Sequence, residues 1–262
     1  MGKKMSQRSA KKPEDMQMFK QFWNQANSSE EEGHRLFQES KYQLAAENHT
    51  KAAELFKKAL EFVDPNNEEI KKKTLGNYHI ELANSYQSLG TYHFYNGEKG
   101  LALTNFQKAI QEQKDVIQEY ETMKDKKKYA NELLILKVGL HFYSAYENIC
   151  SAQMEFLREN YRKAIEFFKI AEIHANLELD FVSQLQDLER SKRTQARIYY
   201  IQGQVLRCEA LTAIQEGNRK AAKEKYLEAA RHFEDASKLH PAWKEYKDLS
   251  EKSRRMALAI KE

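Results

Sequence analysis

Proline occurs three times and glycine nine times in 262 residues. So few turn formers exclude an all-β chain with many tight turns. Runs rich in Val, Ile and Thr are also missing, which removes the usual raw material of strands. Two cysteines, Cys150 and Cys208, supply neither a disulfide framework nor a zinc site. Both sit in apolar helical surroundings (Tyr146, Ile149, Cys150 and Val205, Cys208, Leu211), so they are expected to be buried thiols in a reducing compartment. No apolar run approaches the roughly 18 residues of a membrane span, and the first residues lack the hydrophobic middle of a secretory signal. A soluble, cytoplasmic chain without stable membrane insertion is the expectation. Single-signed charge is scarce too. The net charge is +4, but Lys3, Lys4, Arg8, Lys11 and Lys12 concentrate it in residues 1–12, read as a disordered basic tail. The nearly neutral remainder lacks the clustered basic field of a nucleic-acid surface.

What is present is helix-forming: 41% hydrophobic and 31% charged residues, spaced as on amphipathic helices. One pattern recurs four times. Ala52, Phe56 and Ala59 share a helix face, as do Ala102, Phe106 and Ala109, then Ala164, Phe168 and Ala171, then Ala222, Tyr226 and Ala229. Each triplet is a small-large-small wedge, in which the alanines admit a neighbouring backbone and the ring fills the gap between them.

Upstream of each wedge lies a turn and another helix. In the clearest copy Tyr86, Leu89 and Gly90 precede the Asn96-Gly97 turn, followed by Ala102, Phe106 and Ala109. This arrangement resembles a tetratricopeptide repeat. The match is strong across 86–110, fair at 42–65 and 203–230, where Glu216-Gly217-Asn218 is the turn, and partial at 146–172. There Ala152 takes the family's glycine place and Asn160-Tyr161 the turn. The wedge alanines are 50, 62 and 58 residues apart, against the ~34 of ordinary repeats. Helices of roughly 20 to 30 residues are therefore required, a feature shared broadly with vesicle-fusion attachment proteins and 14-3-3 proteins.

The expected architecture is all-α, a stack of antiparallel helical hairpins of nine or ten helices. Residues 13–262 would form a single domain with repeats near 28–65, 78–122, 132–185 and 194–238 and a capping helix at 241–260. Ser28-Ser29 and Asn66 carry capping-box spacing, and Pro241 is placed in the first turn of the last helix. Asp125–Lys128 reads as a helix junction. The segment with Met16, Met18, Phe19, Phe22 and Trp23 is amphipathic and fit to dock on the stack or on another subunit. The stripe Trp243, Tyr246, Leu249, Met256 and Ile260 fits a cap.

No chemistry is legible. Gly97-Glu-Lys-Gly100 is too short for a phosphate loop. Glu31-x-x-His34 is one half of a di-metal motif without its second half. His79, His93 and His141 sit among tyrosines and phenylalanines without a recurring carboxylate and nucleophile. No enzyme activity, metal or cofactor is expected. The resemblance instead implies a protein or peptide partner held along the concave face of the first helices, at Asn84, Gln87, Ser88, Thr91, Tyr95, Tyr146, Gln153 and Arg207. Gln87, Ser88 and Thr91 stand where the family's carboxylate clamps have Lys and Asn, which argues against such a clamp. Three other readings stand beside this one: a unit at 192–260 similar to microtubule-interacting and transport domains, a phosphopeptide reader using Arg158, Arg162, Arg197 and Tyr200, and a small-ligand sensor. A homodimer is left open.

Overall fold

A computed structural model describes residues 13–123 and 127–260, and among them every regular element is an α-helix. There are nine: α1 (Pro13–Gln38), α2 (Tyr42–Glu61), α3 (Glu68–Tyr95), α4 (Lys99–Glu121), α5 (Ala130–Leu157), α6 (Tyr161–Gln184), α7 (Leu188–Gln215), α8 (Arg219–Leu239) and α9 (Lys244–Ala259). Helices adjacent in sequence pack against each other, so the chain is a succession of hairpins. Residues 1–12, with the basic tail, and Asp125 and Lys126 of the expected junction lie outside the described residues. Lys127 and Lys128 occupy the turn before α5.

The described residues divide into two compact units, those within 1–89 and 111–127 forming one and those within 90–110 and 128–262 the other. Helix α3 changes unit between Leu89 and Gly90, and α4 between Ile110 and Gln111.

Four hairpins are closed by one device. Ser40, Gly97, Glu159 and Gly217 each take a positive φ of 60, 80, 62 and 77°. The following amide bonds back across the helix end: Lys41 to Leu36, Glu98 to His93, Asn160 to Glu155 and Asn218 to Ala213, at 2.8–3.0 Å. This is the Schellman closure, which satisfies carbonyls that the helix end leaves unpaired. Gly97 and Gly217 accept the left-handed backbone freely, whereas Ser40 and Glu159 adopt it against a Cβ penalty. So does Gln186 at φ 57°, where the Asp187 amide reaches the Val182 carbonyl at 3.4 Å and closes the α6–α7 junction in the same way.

The turns set the register. Five residues beyond each comes a buried alanine, Ala45, Ala102, Ala164 or Ala222, and four further a buried ring, His49, Phe106, Phe168 or Tyr226. The first wedge is therefore Ala45-His49-Ala52, one heptad before the triplet Ala52-Phe56-Ala59, and the intervals become 57, 62 and 58. All triplet side chains are nevertheless buried, at 2% exposure or less. They are part of a longer row spaced alternately by three and four residues. In α4 it runs Ala102, Phe106, Ala109, Gln113, Val116, Tyr120, and in α6 Ala164, Phe168, Ala171, Ala175, Glu178, Val182, all buried. Such spacing is the seam of an antiparallel helix pair.

The facing helices supply small residues at seven-residue intervals. These are Ala26 and Gly33 in α1, Gly76, Ala83 and Gly90 in α3, Ala145 and Ala152 in α5, and Ala196, Gly203 and Ala210 in α7, all buried. A Cβ on Gly90 would meet Phe106 at 3.0 Å, and one on Gly203 would meet Phe233 at 2.7 Å. Rings of the second helix thus rest directly on the backbone of the first.

Three helix starts depart from expectation. Ser28 and Ser29 lie inside α1, whose first fifteen residues are held by Phe22 stacked on Phe62 at 5.6 Å and Trp23 edge-on to Phe56 at 5.2 Å. The aromatic segment thus docks on its own hairpin. Asn67, not Asn66, caps α3, its Oδ1 accepting from the Ile70 amide at 3.1 Å. Pro241 lies in the turn before α9, which Trp243 opens. Helix α9 covers α8 with Tyr246, Ser250, Ser253 and Ala257, and the Ser250 hydroxyl donates to the Ala230 carbonyl at 2.9 Å.

Candidate functional site

In the second unit, the first-helix surface centres on Arg197 of α7. Its guanidinium donates to both oxygens of Glu178 on α6, at 2.7 and 3.3 Å, and Thr194 donates to the same carboxylate at 3.0 Å. Glu178 is fully buried and Arg197 6% exposed. Burial opposes the Arg197 charge, but the Glu178 carboxylate outweighs it and holds the guanidinium protonated. The cation lies 4.6 Å from the Phe142 ring centre and 5.2 Å from that of Tyr146, within cation–π range.

Residues just before and within α9 then close this surface. Trp243 stacks on Tyr246 at 5.5 Å and reaches Tyr95 at 5.5 Å, while Tyr246 meets Tyr200 at 5.6 Å. What remains between Phe94, Tyr146, Arg197, Tyr200 and Trp243 is a cavity of about 10 Å³, about one water molecule. Burial pushes the Tyr200 and Tyr246 hydroxyls well above the ordinary phenol range. The second unit therefore fills its own aromatic surface.

The expected partner-binding residues are placed accordingly. Tyr146 is stacked on Phe106 at 5.3 Å. Gln153 donates to the Tyr200 hydroxyl at 2.8 Å, leaving its own Oε1 buried without a partner among the described residues. Arg207 donates to Gln204 at 2.9 Å above the Phe156 ring. Tyr95, 42% exposed, and half-buried Thr91 also lie in this unit. In the first unit Asn84 donates to Glu81 at 3.2 Å, and Gln87 is half-buried. Ser88 is a correction: it is 1% exposed and its hydroxyl is bound to the Asn84 carbonyl at 2.8 Å, because the α3 position facing α2 belongs to the core. It presents nothing to a partner.

The histidines have partners that the sequence does not announce. His79 is 2.7 Å from Glu112 and His93 2.6 Å from Glu98, so carboxylates do stand beside them. His141 and His174 share a hydrogen bond of 3.0 Å, and burial lowers both imidazoles below their usual range. His49 and Glu81, both 1% exposed, pair at 2.8 Å. Cys150 and Cys208 are buried as expected, and burial raises both thiols to about 12, which keeps them out of the nucleophilic thiolate form near neutral pH. The cations of a phosphopeptide reader do not assemble. Arg158 pairs with Glu155, Arg162 with Glu216, and Arg197 is buried on Glu178.

One surface feature went unread in the sequence. Ile170, Ile173 and Leu177 of α6 are 42, 59 and 37% exposed and lie at helical three-and-four spacing, on a face away from the buried row. Isolated exposed apolar residues are ordinary, whereas an aligned row of three is a candidate contact. Its signal was available, since α6 carries two apolar rows where a surface helix needs one.

No family model matches the chain, and no curated protein matches it. Three solved chains match. One is a de novo designed helical repeat protein, 14% identical, covering 94% of each chain with a TM-score of 0.23. That likeness is too weak to bear on fold or function.

Proposed function

We propose that this chain is a non-catalytic scaffold of tetratricopeptide-like hairpins that binds a helix or peptide of a protein partner, in the cytoplasm and without a cofactor. The observation that carries the reading is the α6 row Ile170, Ile173 and Leu177. An apolar row of this length takes the apolar face of an amphipathic helix, whose residues repeat at the same spacing. The partner face is thereby moved from the first helices, where Tyr95 and Tyr146 are engaged by the chain's own aromatic side chains, to a second helix.

The test is affinity capture with mass spectrometry on three full-length forms: wild type, Ile170→Asp with Ile173→Asp, and Gln87→Ala with Thr91→Ala and Tyr146→Ala. A partner enriched by the wild type and the triple variant but lost from the α6 variant, then bound directly when purified, supports the placement. Loss only in the triple variant returns the site to the first helices. No specific partner for the wild type defeats the scaffold reading. A second copy would bury the same row, and the mass of the protein in solution separates that case, since the α6 variant would then be monomeric where the wild type is dimeric.

A further inference from the structure

The first hairpin departs from the repeat at one buried position. Where the other three place a ring, Phe106, Phe168 or Tyr226, it places His49. Its imidazole rests on Gly33, where a Cβ would lie 2.8 Å from the ring. His49 Nδ1 bonds to Glu81 Oε2 at 2.8 Å, and Asn84 Nδ2 donates to Glu81 Oε1 at 3.2 Å. Each carboxylate oxygen has a second lone pair, so both donors leave Glu81 able to bind something more. On α1, Glu30 and His34 stand one turn apart with Oε1 and Nε2 3.7 Å from each other. Ligand atoms of Glu30, His34 and Glu81 all lie within 4.8 Å of one another.

We propose that Glu30, His34 and Glu81 form a binding site for a divalent transition metal of the zinc class, joining α1 to α3 within the first unit. One imidazole nitrogen and two carboxylate oxygens suit a borderline cation. Bonds of about 2.0–2.2 Å place tetrahedral ligand atoms about 3.3–3.6 Å apart, close to the spacing that Glu30 and His34 already have. The set leaves a fourth position for water. Glu81 is oriented by His49 and Asn84, the supporting hydrogen bonds that metal-binding carboxylates normally have. A second cluster, His79, Glu112 and Asp115, has three half-buried members, and His79 is already locked on Glu112 at 2.7 Å. It lacks the buried, doubly supported carboxylate.

The test is calorimetric titration of tag-free, chelator-treated full-length protein with Zn²⁺, repeated with Co²⁺ to read the ligand field from its visible spectrum. One ion per chain and a raised unfolding midpoint are expected. His34→Ala and Glu30→Gln, both on the surface of α1, should each weaken binding at least about tenfold, and Asn84→Ala, which removes a supporting donor, by about tenfold. His79→Ala should leave affinity unchanged. Absence of saturable binding up to millimolar metal overturns the proposal. So does unaltered affinity in His34→Ala and Glu30→Gln, or loss in His79→Ala instead, with helicity of every variant checked by circular dichroism.

Discussion

The rings of the second helices rest on bare backbone, and a controlled perturbation reads how closely. Adding one methyl at Gly203 places a Cβ 2.7, 2.8 and 2.9 Å from three atoms of the Phe233 ring. Ordinary carbon contacts lie near 3.5–4.0 Å, so the ring must retreat by about 0.8 Å or more. Phe233 is fully buried, so a retreat pushes it into its neighbours. Overpacking of this kind costs about 1–3 kcal/mol, while the gain in helix propensity from glycine to alanine returns about 1 kcal/mol. The net change is a destabilisation between about 0 and 2 kcal/mol. A Cβ on Gly100, near the start of α4, would meet nothing within 4 Å, and Gly100→Ala keeps only the favourable part. The difference between the two variants, about 1–3 kcal/mol, isolates the clash. Urea unfolding followed by circular dichroism measures it. In the Gly203→Ala background, Phe233→Leu should cost less than it does alone, because the two positions share one space. Equal midpoints for Gly203→Ala and Gly100→Ala would refute the close approach of α7 and α8.

Three further outcomes are expected. Glu178→Gln leaves Arg197 buried without its counter-charge and should destabilise the fold by about 3–5 kcal/mol in urea unfolding, whereas Glu178→Leu combined with Arg197→Met should recover most of the loss. Cys150 and Cys208, with thiols held near 12 by burial, should ignore a disulfide reagent at pH 8 in native protein and react fully in denaturant. For His141 and His174, burial depresses both folded-state values below about 6.5, with Glu178 and Lys137 also acting on His141 and Glu147 on His174. The unfolded chain then binds more protons between the two values, so stability is complete above about pH 6.5 and falls as pH drops below it. His174→Asn should flatten that fall in thermal unfolding between pH 7.5 and 5.5.

Much of this architecture was legible because packing rules repeat. Alanine and ring spacing marked the four second helices, glycine marked two of the four turns, and the absence of strand formers fixed the class. The first hairpin was misregistered by one heptad for a definite reason: Ala52 belongs to two overlapping triplets, and the true ring position holds His49. Polarity disguised it, since a histidine among charged neighbours does not look like a core residue until Glu81, 32 residues away, is known to meet it. Ser40 and Glu159 were missed as turn-closing residues because a left-handed backbone in a side-chain-bearing residue has no sequence signature. The aromatic closure over Arg197 was equally invisible, because it needs Trp243 and Tyr246 brought back to α5 and α7 by a chain reversal.

The two buried polar pairs, His49–Glu81 and Glu178–Arg197, make sense against the repeat. Counting from the turns, Glu178 occupies the place held by Ala59, Val116 and Ala236 in the other second helices, just as His49 occupies the place of a ring. Both departures point to the first helix of the next hairpin, Glu178 to Arg197 on α7 and His49 to Glu81 on α3. Within a hairpin, and at the α6–α7 junction, a short turn and its left-handed closure help to set the register. Between hairpins, a uniform seam of alanines and rings would tolerate a slip of one heptad, since small and large residues would still alternate. A slip at either junction instead strands a buried ionisable group, at a cost of about 3–5 kcal/mol. Polar residues at such seams characteristically fix alignment at the expense of stability. The α2–α3 junction is thus specified by a polar pair where the apolar pattern alone is degenerate, and the α6–α7 junction by the Glu178–Arg197 pair together with the left-handed turn at Gln186.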